Sequence, residues 1–232
     1  MFERWLREGA RDEGDPIPAA TVVLVREADG ALETLMLRKN SKLAFGGMWV
    51  FPGGRIDDAD REGAADVETA ARIAAVREAM EEADLAVDAE SLAWISHWLP
   101  PGLAPKRYAT WFFVAPAPEG TVTIDMGEIH EEEWMRPSDA LARRDSLEIE
   151  LAPPTWMTLH YLSGFVTIDA LMVDAHAREP VFYETAIAKT GDDLVAMWAG
   201  DAGYESSDPD APGARHRIVM TRDGPWVLDR TV

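Results

Sequence analysis

A strand, a glycine turn and a helix follow one another between Trp49 and Leu85, WVFPGGRIDDADREGAADVETAARIAAVREAMEEADL, and this stretch limits the fold more than any other. It opens as a short apolar strand, turns at Pro52-Gly53-Gly54, crosses an acidic loop and enters a helix ending Arg77-Glu78-Ala79-Met80-Glu81-Glu82. At about 100° per residue, Glu82 falls roughly 40° and Glu81 roughly 60° from Glu78, so the three carboxylates share one face. Ile73, Val76, Met80 and Ala83 fall about 140° to 220° round the wheel and are expected to face the core. One side of the helix suits a core and the other suits cations.

An E-x-x-E-E run is ordinarily a solvated surface. Three features set this one apart. Like charges at i, i+3 and i+4 repel with no Lys beside them in the helix, a cost that a bound divalent cation would remove. A Gly-Gly turn feeding a helix from a strand lets backbone approach a phosphate. The adjacent Arg77 and Glu78 complete a longer pattern.

That pattern resembles the Nudix box, G-x5-E-x7-R-E-U-x-E-E-x-G-U, where U is a bulky apolar residue. Arg77, Glu78, Glu81 and Glu82 match its second half, Leu85 matches the last U, and Ala79 is a small substitute for the middle one. The first half departs. Gly54 lies 23 positions before Arg77, nine more than the pattern allows; Gly63 has the regular spacing but puts Thr69, beside Glu68, at the box glutamate. Asp84 replaces the terminal glycine just past the helix, where left-handed backbone is expected and Asp is better tolerated than most residues. Upstream, Leu37-Arg38 and Phe45 to Asp57 (FGGMWVFPGGRID) resemble the segment before the box in the coenzyme A diphosphatase branch of Nudix hydrolases. Trp94, Trp98, Pro100, the Arg107-to-Phe113 strand, Glu131-x-x-Trp134 and Leu151-Ala152-Pro153-Pro154-Thr155 are similar to the long-insert peroxisomal members of that branch.

Composition narrows the partners. The 232 residues, 47% hydrophobic, suffice for one core, and the absence of cysteine removes disulfides and thiol chemistry. A net charge of −20 repels phosphate polymers and argues against nucleic-acid binding. A small phosphorylated substrate meets the same repulsion, so a diphosphate calls for divalent cations. The charged start MFERWLREGARDEGDP reads as neither signal peptide nor anchor, no run is long enough to span a membrane, and a cytoplasmic location is expected.

Along the chain, Ala19 to Arg26 and Leu32 to Arg38 are expected to form a buried hairpin, followed by the basic cluster Arg38, Lys39 and Lys42. That cluster is either a solvated loop or a dock for phosphates. The loop Asp57-Asp58-Ala59-Asp60 lacks the register of a calcium-binding EF-hand. Asp66 is the expected N-cap of the box helix, with any inserted residues confined to the loop before it. Strands are expected over Ser91 to Trp98 and Lys106 to Ala115, and a strand pair over Thr121 to Met135. The tryptophans read as core, with one indole stacking on a substrate base as the alternative. Helices are expected from Pro137, from Pro153-Pro154 and after Thr167, then a flexible loop from Glu205 to Ala214 and a terminal hairpin able to pair with Phe182 to Ala188.

The resemblance implies an α/β/α sandwich around a mixed sheet: a charged segment over residues 1–17, then one domain over 18–232 with helical additions after about 137. It implies hydrolysis of a diphosphate-linked nucleoside compound, coenzyme A or acyl-coenzyme A among them. Mg²⁺ or Mn²⁺ would be held by Glu78, Glu81 and Glu82, Arg77 would orient the glutamates, and Gly53-Gly54 would admit backbone to the metal or phosphate. Glu131 or Glu82 would serve as base, and Arg38, Lys42 and Arg107 would receive substrate phosphates. The expected partner is a small-molecule diphosphate, with no nucleic acid and no membrane; a homodimer is left open. Two alternatives stand beside this: a nucleotide-binding module that has lost catalysis, made conceivable by Thr69 and Asp84, and an ADP-ribose or NADH diphosphatase.

Overall fold

The computed structural model describes residues 14–40, 46–104 and 106–231. The β-branched run forms its hairpin: β1 (Ile17–Ala28) and β2 (Ala31–Lys39) pair antiparallel across Asp29-Gly30. Both turn residues have positive φ, 49° and 72°, the backbone that a two-residue type I′ turn requires. Side chains alternate along β1, so Ala20, Val22 and Leu24 enter one hydrophobic cluster and Val23 and Val25 another on the opposite face.

Six more strands complete this sheet: β3 (Trp49–Val50), β4 (Gly53–Arg55), β5 (Ala93–Leu99), β6 (Tyr108–Pro116), β7 (Ile129–Met135) and β8 (Val181–Glu184). The order is β3-β2-β1-β6-β5-β8, with β4 beside β1 and β7 beside β2; β1–β6 and β5–β8 are parallel, and the rest antiparallel. One face carries α2 (Val67–Ala83), preceded by the single turn α1 (Asp58–Arg61). The other carries α3 (Pro137–Asp145), α4 (Pro153–Leu162) and α5 (Ile168–Ala177). The mixed sheet between helical layers is the expected architecture.

The C-terminal part differs from expectation. A second sheet of β9 (Ala186–Thr190), β10 (Asp193–Met197), β11 (Arg217–Met220) and β12 (Val227–Asp229) runs in the order β12-β11-β10-β9. The terminal hairpin therefore pairs with β10 and not with Phe182 to Ala188, whose first half joins the main sheet as β8. Loop 205–214 is irregular but tied: Asp201 binds the guanidinium of Arg217 through both oxygens, and Arg217 Nη1 donates to the Pro209 carbonyl at 2.6 Å. The expected strand pair over Thr121 to Met135 is only β7. Its first half instead caps α2, with the Thr123 N–H donating to the Ala83 carbonyl at 3.0 Å and the Asp125 N–H to that of Glu82 at 3.4 Å.

Helix α2 packs by a face only partly expected: Ala83 is buried and Val76 packs against the core, but the centre of the face lies elsewhere. Ala70, Ala71, Ala74, Ala75, Ala79 and Ala83 are buried, while Ile73 and Met80 are 39% and 43% exposed. Alanine lets the helix lie close on β1 and β4, where larger side chains would hold it off, so the core face is centred near Glu78 and Glu82 and not opposite them. Glu82 is accordingly only 3% exposed. The helix starts as expected, the Asp66 carboxylate accepting from the Thr69 N–H at 2.8 Å. It ends at Asp84 with φ 56° and ψ 38°, a left-handed residue. Replacing Asp84 with Gly should therefore stabilise the protein by about 0.5–1 kcal/mol. A rise in the urea midpoint checks this; a fall would mean that the aspartate side chain matters more than its backbone.

Candidate active site

The close approach of α2 to the glycine strand builds the site. A Cβ on Gly54 would overlap the Glu78 carboxylate, lying 2.6 Å from Cδ, so glycine here lets that carboxylate keep its position. The Gly53 N–H donates to Glu82 Oε2 at 3.0 Å, and Lys39 Nζ holds Glu82 Oε1 at 2.9 Å. Burial pushes the Glu82 carboxyl up, against the opposing pull of Lys39 and the Gly53 N–H. It likewise raises Glu78, opposed by Arg77 and reinforced by Glu82 and Glu81. Two carboxylates are thus held where ionisation is costly and a cation is favoured.

Arg77 sits at the centre of the acidic groups. Its Nε and Nη2 meet both oxygens of Asp60 at 3.0 and 2.9 Å, its Nη1 bridges Glu78 and Glu81 at 2.8 Å each, and Nη2 also donates to the Arg55 carbonyl at 2.8 Å. Asp60, which the sequence places only in an acidic loop unlike an EF-hand, is buried on α1. It lies six positions after Gly54, the spacing of glycine to glutamate in the box, and the nine extra residues fall between it and Arg77. The glycine at the carboxylates is Gly54, whereas Gly63 has φ 79° and a Cβ there would meet nothing. Thr69 belongs to the N-cap of α2.

A cleft of about 610 Å³ opens beside these groups. Glu78, Glu81, Gly53 and Gly54 line one part; Trp98, Phe112, Pro100, Pro101, Pro153 and Pro154 give another part an apolar wall. Trp98 is itself core, stacked on Tyr183 at 4.0 Å, and it also borders the cleft.

Several expected contributors lie elsewhere. Arg38 faces Glu131 directly across β2 and β7 and pairs with it at 3.0 Å; neither lines the cleft. Arg107 turns back to the Pro100 carbonyl at 3.3 Å and does not line it either. Lys42 lies outside the described residues. The cleft is lined instead by Lys39, Arg55, Lys106 and Glu128, with Glu128 3.8 Å from Lys39 Nζ. Strand alternation points to Lys39, since Leu35 and Leu37 face α2 and the next residue of that set is 39.

Among the described residues, no three carboxylate or imidazole side chains converge into a group that could hold a metal ion. Arg77 and Lys39 hold the carboxylates in ion pairs. The donor set nevertheless suits a hard divalent ion: carboxylate oxygens on one helix face, beside a glycine whose missing side chain leaves them room. No helix among the described residues is long and apolar enough to cross a membrane.

A NUDIX hydrolase from Alicyclobacillus acidocaldarius has a similar fold, with TM-score 0.64 and 23% identity over 70% of this chain and 97% of that one. The NUDIX domain of Shewanella oneidensis NrtR, solved with ADP ribose, follows with TM-score 0.51 and 17% identity over 72% of this chain and 99% of that one. The acyl-coenzyme A diphosphatase NUDT19 of Xenopus laevis is 28% identical over 136 residues, 55% of this chain. That match spans 36% of the relative's length. Residues 15–159, more than half of the chain, match the NUDIX domain, and the protein belongs to that family.

Proposed function

We propose that this chain hydrolyses the diphosphate linkage of a coenzyme A-type substrate. The observation that carries the reading is the convergence of Glu78, Glu81 and Gly54 on a cleft with a long apolar wall. Glu78, Glu81 and Glu82 would hold Mg²⁺ or Mn²⁺, which when bound supplies positive charge to the diphosphate oxygens and acidifies water. Arg77 fixes the directions of Glu78 and Glu81, and Gly53 and Gly54 keep backbone close to the phosphates. Water adds to one phosphorus, the bridging P–O bond breaks, and the bridging oxygen leaves with the other phosphate. Glu128, which borders the cleft as Glu131 does not, would take the proton. The apolar wall suits a pantetheine or acyl arm, and Arg55 and Lys106 take the place of Arg38 and Arg107 as cations for a further phosphate.

The substrate is tested by product analysis over a panel of diphosphates with Mg²⁺ and Mn²⁺. Coenzyme A should yield 3′,5′-ADP and a phosphopantetheine product, ahead of ADP-ribose and NADH. Removing the 3′-phosphate should raise KM about tenfold, the loss of one charged hydrogen bond. Equal turnover of coenzyme A and its dephospho form, or faster cleavage of ADP-ribose, would defeat the substrate assignment and leave the diphosphatase reading standing.

A further inference from the structure

Lys39 is a cation already placed inside the carboxylate site. Its side chain is only 16% exposed, its Nζ lies 2.9 Å from Glu82 Oε1 and 3.8 Å from Glu128 Oε2, and it borders the cleft. The short contact pairs its ammonium directly with the Glu82 carboxylate. The other oxygen of Glu82 accepts from the Gly53 N–H, so both oxygens of this glutamate are engaged by the protein. Glu78 and Glu81 each give one oxygen to Arg77. A register shift in the β2–β7 pairing falls between Arg38 and Lys39, where Arg38 turns to Glu131 and Lys39 to Glu82.

We propose that Lys39 is a positioning residue that competes with the divalent ion for Glu82, acting as a built-in counter-ion that must give way before that carboxylate can ligate. This rests on the metal reading of the same site. A divalent ion ligated by Glu82 Oε1 would share an oxygen that Lys39 already holds, and the two positive charges would repel. The lysine thus keeps a buried carboxylate neutralised when no ion is bound and lowers the site's affinity for one. The consequence is a site that loads at higher ion concentration than its carboxylates alone would require.

The test is Mn²⁺ affinity of the full chain, measured by calorimetry and by the paramagnetic resonance of free Mn²⁺, independently of turnover. Lys39→Met should bind Mn²⁺ about tenfold tighter than wild type, and Lys39→Arg should bind as wild type does. In a Glu82→Gln background most of the gain should vanish, since the contested oxygen is gone. Should Lys39→Met not fold, Lys39→Gln keeps a donor at Glu82 and removes the same charge. Affinity in the neutral variants that is equal to or weaker than wild type overturns the proposal, because Lys39 would then be holding Glu82 for the ion. Binding in Lys39→Met with none in wild type supports it. Absence of binding in every variant overturns both the proposal and the metal reading, whereas wild-type binding with no gain in the neutral variants overturns the proposal alone.

Discussion

Replacing Asp60 with alanine is expected to cost roughly 3 kcal/mol of stability and most of the activity, although Asp60 does not line the cleft. The carboxylate accepts two hydrogen bonds from Arg77 and one from the Asp57 N–H at 2.8 Å. Breaking a buried ion pair costs about 3–5 kcal/mol. The lower end applies because Arg77 retains Glu78, Glu81 and the Arg55 carbonyl. Freed from Asp60, the guanidinium can shift toward those glutamates and compete for the oxygens that would hold an ion. The effect carries a pH signature. Burial raises the Asp60 carboxyl, but Arg77 and the Asp57 N–H outweigh it and hold the group below its ordinary 3.8. A depressed carboxylate contributes stability that is complete above its unfolded value and is lost as pH falls through the folded one. The difference between wild type and variant should therefore be constant near neutrality and shrink below about pH 4. Denaturant unfolding at several pH values checks this, and a gap that widens with acid would contradict the pairing.

Replacing Glu82 with glutamine should lower metal-dependent activity about 10²-fold or more and also destabilise the protein without added metal, by about 1–3 kcal/mol. The helical wheel alone suggests the opposite sign for stability, since removing one of three like charges relieves repulsion. The structure reverses it. Glu82 is buried against Lys39 and the Gly53 N–H, and glutamine would leave a mostly buried ammonium facing a neutral group. Lys39→Met in the same background should recover part of the loss, because no unpaired charge then remains. Thermal unfolding of both variants decides the sign, and an apo Glu82→Gln protein as stable as wild type would show that Lys39 finds another partner, with Glu128 nearest at 3.8 Å.

Strong local signals were the legible ones. The Asp29-Gly30 hairpin, the Asp66 cap, the left-handed Asp84 and the proline-initiated helices each depend on a few adjacent residues whose backbone preferences are steep. The carboxylates of α2 were readable for the same reason. The core face of α2 was not, because six alanines carry little hydrophobic signal, while Ile73 and Met80 carry much and point outward. Asp60 was hidden by the inserted residues; counting six positions from Gly54 finds it. Lys39 follows from alternation along β2, but Glu128 depends on how β2 and β7 pair over some ninety residues of intervening chain, which no local pattern encodes. The second sheet was missed in part because β10 is only five residues long and its β11 partner lies beyond a 19-residue connection.

Divalent-metal-dependent cleavage of a diphosphate at the carboxylate face of α2 is the proposed reaction. It is tested most directly by following coenzyme A hydrolysis by the full chain with Mn²⁺, after chelation, and in Glu78→Gln. Turnover with the ion, its loss on chelation and recovery on re-addition are expected, with a loss of about 10²-fold or more in Glu78→Gln at saturating Mn²⁺. Turnover that survives chelation, or a Glu78→Gln protein as active as wild type, would contradict it.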